Sequence, residues 1–181
     1  MQLFLTNFIL IVYYLFSFVR ADMTTDAVHL QGLASDTADT IFASLNGTAY
    51  LNTSDLVSRV TAAIQGADST VISNVSSSGT ANVSLNDAYF NFVDSMLYLA
   101  DTVQRRGRLF HSELNLPVFQ ALQNLSSAVS TYGHDLTSHS WIQRNSTIRT
   151  LTTGSAIVNA QSAWANNQNY PGKRETSSWS G

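Results

Sequence analysis

The sequence contains no cysteine, only two prolines and few charges, which make up 12% of its 181 residues. Without cysteine the chain cannot form disulfides, thiolate metal sites or a cysteine nucleophile, so packing alone must hold the fold. Nine basic and twelve acidic residues give a net charge of −3 with no polybasic run, which argues against nucleic-acid binding. The apolar fraction, 44%, suits one domain with one core.

An uncharged apolar segment from Leu3 to Val19 opens the chain and is followed by Arg20 and Ala21. This pattern is typical of a secretory signal peptide, so we assign residues 1–21 to one and expect cleavage after Ala21. Because no positive charge precedes the segment, an uncleaved membrane anchor is the alternative. The sequence therefore predicts a secreted protein, located outside the cell or in a cell wall.

Asn-x-Ser/Thr sequons support a secretory route, since there are six where chance predicts about three. We predict glycosylation at Asn46, Asn52, Asn74, Asn82, Asn124 and Asn145. The first four flank predicted loops, where water can surround a glycan. Residues 166–181 are polar and contain Pro171-Gly172 and Lys173-Arg174, so we expect a disordered tail whose basic pair is a solvated charge rather than a processing site.

Residues 22–165 carry apolar side chains at the three-and-four spacing of amphipathic helices. The predicted helices run from Thr25 to Leu45, from Thr53 or Ser54 to Val75, from Ser84 to Val103 or past Gly107 to Leu114, from Pro117 in a first turn to Ser138, and from Trp141 to Ala165. No segment alternates like a half-buried strand. The predicted fold class is all-α, an antiparallel helical bundle of four to five long helices.

The fifth predicted helix is apolar on two sides. Ile148, Leu151 and Val158 mark one side, and Ile142, Ile157, Ala160 and Trp164 mark nearly the opposite one. Such a helix either lies centrally between neighbours or leaves one sticky side exposed.

Charge is uneven along the chain, with nine acids and one base from Asp22 to Asp101, and five arginines against two acids from Thr102 to Thr150. We interpret this division as attraction within one molecule, with an anionic partner as the alternative. The densest cluster, Arg105-Arg106-Gly107-Arg108, fits a solvated helix end better than an anion site.

No motif for catalysis, nucleotide binding or metal binding is recognisable. The histidines His29, His111, His134 and His139 lack metal-ligand or catalytic spacing, and Gly154-Ser155 lacks the hydrolase elbow pattern. We therefore predict no catalytic residue, no metal and no cofactor. A hydrolase without a recognisable motif is the enzymatic alternative.

Large apolar side chains exceed what the helix stripes need. Candidate ligand-binding residues are Phe42, Tyr89, Phe92, Met96, Leu122 and Tyr132, which we expect to line a cavity for an acyl chain, and Trp164, which with Phe90, Tyr98 and Phe119 lies off the main stripes. The alternative for each is ordinary core or a lone exposed aromatic.

The stretch Leu116–Leu125, LPVFQALQNL, followed by Val129, Tyr132 and Leu136, resembles the fungal hydrophobic surface-binding protein A and cell wall galactomannoprotein family. The resemblance extends over most of 25–165, together with the signal peptide and the absence of cysteine. It implies a secreted, non-enzymatic protein that adsorbs to hydrophobic surfaces or binds fatty acids in a helical bundle, sometimes within the cell wall. We predict a monomer whose partner is a fatty acid or another hydrophobic ligand or surface, with a cell-wall polysaccharide or a protein as the alternative partner. The many sequons and the single lysine, Lys173, depart from the family.

A second hypothesis is a secreted protein–protein interaction module, such as an inhibitor or a host-directed effector. Its contact surface would be the fifth helix or Tyr98.

Overall fold

The computed structural model describes residues 2–45, 50–73, 83–109 and 111–165, with side chains from Met23 onward. Over these ranges the chain forms five helices and no strand, which confirms the all-α class. The helices are α1 (Gln2–Ala43), α2 (Thr53–Ser73), α3 (Val83–Arg108), α4 (Asn115–Ser138) and α5 (Ser146–Ala163). The predicted tail, 166–181, lies outside the described residues.

The five helices close into a ring around one core. Helix α1 packs against α2 and α3, α5 packs against α3 and α4, and α2 packs against α4. Consecutive helices run in opposite directions, as predicted, because short connections join them. Neighbours two apart in sequence therefore run parallel. On α1 and α3 the bonds Ser35–Ser95 and Asp39–Tyr98 show this, because the residue numbers rise together along both helices.

Each end of the bundle is tied by a buried polar side chain. At one end, the Ser44 end, Arg106 donates to the Ser44 hydroxyl at 2.8 Å, which joins α3 to the end of α1. At the other, the Asn86 end, the Asn86 amide oxygen accepts hydrogen bonds from the Gln143 N–H and the Ser146 hydroxyl, each at 3.1 Å. These contacts fix where the connections lie relative to the helices.

Two predicted helix starts and one predicted extension differ from the structure. Helix α1 begins at Gln2 rather than Thr25 and continues without interruption to Ala43. Helix α3 ends at Arg108, so the extension to Leu114 is absent. Helix α5 begins at Ser146 rather than Trp141, and Trp141 is buried in the α4–α5 connection instead.

Ser140 explains the late start of α5. It has a φ of 59°, the left-handed conformation that commonly ends a helix. The Ser140 N–H bonds to the Thr137 carbonyl at 3.0 Å and the Trp141 N–H to the Leu136 carbonyl at 2.9 Å, the paired bonds of a Schellman motif. This motif ends α4 and turns Trp141 into the core against the last turn of the helix.

Candidate functional site

The aromatic residues predicted to line a cavity form the centre of the core. Tyr89 and Phe92 of α3 and Tyr132 of α4 contact one another, with ring centroids 6.0, 6.1 and 6.0 Å apart, and all three are fully buried. Met96 and Leu122 are buried in the same core. Because tilted aromatic rings at this separation are in favourable contact, these side chains occupy the space between α3 and α4 themselves.

The two core tyrosines are held as neutral phenols. The Tyr89 hydroxyl forms a 2.6 Å hydrogen bond with the Thr150 hydroxyl, yet burial raises the pKa of Tyr89 to about 12. Burial also raises the pKa of Tyr132, with smaller contributions from Asp26, Tyr89 and Asp68. The Tyr132 hydroxyl has no hydrogen-bond partner among the described residues. Neither phenol is therefore suited to act as a base or nucleophile near neutral pH.

Trp164 and Phe42 both lie in environments that differ from the predicted ones, since Trp164 is buried and Phe42 is exposed. Trp164, predicted to lie off the main stripes, is fully buried, and its indole N–H donates to the Val103 carbonyl at 3.0 Å. Phe42, predicted to line a cavity, is 48% exposed and does not belong to the buried cluster. Its neighbour Ile41 points into the core, and consecutive helical residues are about 100° apart.

The other aromatics singled out by the sequence lie at the surface or at the core edge. Tyr98 is exposed and donates a 3.0 Å hydrogen bond to Asp39. Phe90 and Phe119 are half-buried against the core, and the Arg149 guanidinium lies 4.6 Å from the Phe90 ring centre. These contacts give each of the three an intramolecular role.

The arginine cluster forms a solvated helix end only in part: Arg105 and Arg108 are exposed, as predicted, but Arg106 is buried. Its guanidinium forms an ion pair with Glu113, which is also buried. The second Glu113 oxygen accepts the Thr53 N–H at 2.7 Å, at the start of α2. Together with the bonds from Arg106 to Ser44, this arrangement joins four chain segments and leaves Arg106 inaccessible to a ligand.

The predicted attraction between the acidic and basic halves is present in two described ion pairs, Arg149–Asp94 and Arg105–Asp101, of which only the first joins two helices. Arg149 of α5 binds Asp94 of α3 at 2.9 Å, and both side chains are about half exposed. The pairs Asp55–Arg59 and Asp101–Arg105 each lie within one helix. Exposed pairs of this kind contribute little to stability, so charge guides the packing of α3 and α5 only weakly.

Two carboxyl groups meet between α2 and α4. Burial raises the pKa of Asp68 above its usual 3.8, and the charge and hydrogen bond of Asp135 raise it further. One oxygen of Asp68, Oδ1, is buried without a hydrogen-bond partner. The folded state thus retains the Asp68 proton more readily than the unfolded chain does. The resulting stabilisation is complete below about pH 4 and is lost as the pH rises through the raised pKa.

Replacing Asp68 with asparagine should therefore stabilise the protein at pH 7 but not at pH 3.5. The amide donates to Asp135 without adding a charge, and we expect a gain of about 0.5 kcal/mol because water still screens this half-buried pair. Thermal unfolding by circular dichroism across this pH range measures the effect. Asp36→Asn, at an exposed acid of α1, serves as the control. An equal gain at both pH values would contradict this account.

The sequence left two alternatives for α5, a central position between neighbouring helices or one exposed apolar side. In the structure, one apolar side of α5 is exposed. Ile148, Leu151 and Val158 are 69%, 65% and 52% exposed, whereas Ile157 and Ala160 face the core. The three exposed residues lie within about 80° of one another around the helix axis, since each residue advances 100°. They form an apolar stripe, hereafter the α5 stripe.

A groove of about 630 Å³ lies between α4 and α5 at the Asn86 end. Six hydroxyl side chains line it: Ser130, Thr137, Ser138, Ser140, Thr147 and Thr150. His134 and Arg144 add two basic groups, and no acidic residue lines the groove. Serine and threonine are so frequent throughout this chain that their spacing gave no signal for the groove.

The remaining predicted positions are the histidines and the sequon asparagines. His111 is buried with its ring centre 4.3 Å from that of Trp164, while His29 and His134 are exposed. Across the described portion, no group of three or more His, Asp or Glu residues is placed to hold a metal ion. The sequon asparagines Asn52, Asn124 and Asn145 are exposed. Asn46, Asn74 and Asn82 lie outside the described residues.

Compared with known protein families, curated proteins and solved structures, the chain matches none of them. The resemblance to the hydrophobic surface-binding protein A family therefore stays a prediction. Among the residues from Met23 onward that the structure describes with side chains, no helix is both long enough and apolar enough to cross a membrane.

Proposed function

We propose that this chain is a secreted, non-enzymatic protein that adsorbs to hydrophobic surfaces or lipid assemblies through the α5 stripe. The observation that supports the proposal is the exposure of Ile148, Leu151 and Val158 on one side of one helix. Thr152 and Asn159 border them, and Ser155 lies on the same side of the helix, between Leu151 and Val158. An exposed apolar patch with a polar rim is typical of an interaction site.

Burial of this stripe supplies the driving force. Each Å² of apolar surface removed from water contributes about 25 cal/mol, and the stripe is exposed without any rearrangement of the bundle. An acyl chain between α3 and α4 would instead have to displace the packed rings of Tyr89, Phe92 and Tyr132. The α5 stripe therefore favours adsorption at the outer surface over uptake of a fatty acid into the core.

The triple variant Ile148→Ser, Leu151→Ser, Val158→Ser should lose adsorption to alkyl-coated beads and to lipid vesicles. If each side chain contributes about 1 kcal/mol on contact, affinity falls by about a hundredfold. The helical circular dichroism spectrum should be retained, because none of the three side chains is part of the core.

The triple variant Val28→Ser, Ile72→Ser, Val83→Ser is a matched control. These residues are 53%, 55% and 69% exposed but lie on three other helices. Equal adsorption by the two triple variants would contradict the proposal. Loss of a stoichiometric protein partner in the α5 variant, with unchanged bead adsorption, would favour the protein-interaction hypothesis.

A further inference from the structure

Arg144 differs from most other described arginines in having no carboxylate partner. Four arginines form ion pairs: Arg59 with Asp55, Arg105 with Asp101, Arg106 with Glu113 and Arg149 with Asp94. The Arg144 side chain makes no ion pair or hydrogen bond with the described residues, and it lines the α4–α5 groove. Since no acid lines that groove, its positive charge is available to a bound molecule.

The acidic residue nearest to Arg144 in the sequence, Asp135, is engaged with another residue and does not neutralise the guanidinium. Asp135 follows the groove residue His134, but its carboxyl hydrogen-bonds to Asp68 on α2. The groove therefore has two basic side chains, His134 and Arg144, and no internal anion. A guanidinium beside hydroxyl groups is well suited to bind a carboxylate or phosphate, because the guanidinium and the hydroxyls can all donate hydrogen bonds to the anion's oxygens.

The groove hydroxyls divide into occupied and available donors. Thr137, Ser138 and Thr150 donate their protons to backbone carbonyls of their own helices. The hydroxyls of Ser130, Ser140 and Thr147 make no hydrogen bond within the described residues. Three hydroxyl donors thus join Arg144 and His134 around the same space.

Ser140 gives a second, independent indication. A left-handed residue that ends a helix is usually glycine, and a side chain there costs roughly 1–2 kcal/mol. Glycine would satisfy the backbone at Ser140 better, yet the chain carries a hydroxyl at the edge of the groove. Strained residues of this kind cluster at ligand sites.

We propose that the α4–α5 groove binds a small organic anion, with Arg144 pairing with its carboxylate or phosphate group. The groove volume of about 630 Å³ falls within the range of small-molecule sites. This function goes beyond surface adsorption and uses different groups, although Leu151 belongs to both the groove and the α5 stripe. The tests therefore avoid Leu151.

Inorganic phosphate and citrate are the probes for the two anionic groups, and glucose is the neutral control. Titration followed by NMR of the amides of Ser140 and Thr147 should show saturable binding of at least one anion and none of glucose. Arg144→Gln should weaken anion binding by at least about tenfold. Arg108→Gln, at an exposed arginine on the opposite end of the bundle, should leave it unchanged.

Ser140→Gly separates binding from folding. It should leave the unfolding temperature unchanged or raise it, because glycine removes the left-handed strain, while weakening anion binding. Phosphate against citrate shows whether the groove prefers a phosphate or a carboxylate. No saturable binding of either anion, equal binding of glucose, or equal losses in Arg144→Gln and Arg108→Gln would overturn the proposal.

Discussion

Replacing Glu113 with alanine should lower the free energy of unfolding by about 3–5 kcal/mol. The substitution leaves the Arg106 guanidinium, whose side chain is 3% exposed, without its counter-charge. It also leaves the Thr53 N–H at the start of α2 without its acceptor. Both groups are desolvated in the folded protein, and the full cost of an unpaired buried donor then falls on the folded state.

Two further variants test whether burial is the cause. Asp101→Ala removes the partner of Arg105 in an exposed ion pair and should cost less than about 1 kcal/mol. The double variant Arg106→Met, Glu113→Leu replaces the buried pair with apolar side chains and should recover part of the stability lost in Glu113→Ala. Urea unfolding measures all three. A loss in Glu113→Ala no larger than in Asp101→Ala would contradict the assignment.

The buried position of Arg106 could have been predicted from the spacing of α3. The inward positions Tyr89, Phe92, Met96 and Val103 continue at the helical period to Arg106 and Gly107. Composition alone suggested a solvated cluster, since three arginines lie within four residues. The missing information was the position of Glu113, which lies between α3 and α4 in the sequence and pairs with Arg106 in the fold. A local pattern therefore gave the direction of the side chain but not its partner.

The helices themselves follow from the sequence more directly. Pro117 lies in the first turn of α4 as predicted, where its missing N–H leaves no bond unmade. The predicted start of α5 at Trp141 was wrong, because Trp141 and Ile142 continue the apolar spacing of that helix in the sequence although they precede it in the structure. A serine gives no sequence signal for a positive φ, so the turn at Ser140 could not be anticipated.

The exposure of the α5 stripe required the packing order of the helices. An apolar pattern on two sides of one helix predicts that both sides favour burial, but it does not predict how many neighbouring helices pack against them. In the ring, α5 contacts α3 and α4 and no helix covers Ile148 and Leu151 among the described residues. Long-range packing thus selected the exposed alternative.

Gly107→Ala should lower the free energy of unfolding by about 3 kcal/mol, since overpacking of a tight core costs 1–3 kcal/mol or more. A Cβ atom at Gly107 would lie 2.5 Å from Nε1 of Trp164 and 2.8 Å from Cδ1 and Cε2. The indole cannot move aside easily, because it is fully buried, bonded to the Val103 carbonyl and in contact with the His111 ring.

Gly66→Ala and Gly154→Ala are matched controls on α2 and α5. A Cβ at either glycine has nothing within 4 Å, so each substitution should stabilise its helix by about 0.5–1 kcal/mol. In Gly107→Ala the displaced indole should also shift its fluorescence to longer wavelength as it meets water.

The double variant Gly107→Ala, Trp164→Leu tests whether the methyl group destabilises the protein by clashing with the Trp164 indole or by an effect that does not involve Trp164. If the methyl group acts through the indole, shortening residue 164 makes room for it, and the two substitutions cost less together than the sum of their separate effects. Strict additivity in urea unfolding, or an unchanged fluorescence spectrum in Gly107→Ala, would mean that Gly107 is required for another reason. Coupling above about 1 kcal/mol would establish that this glycine exists to admit Trp164 into the core.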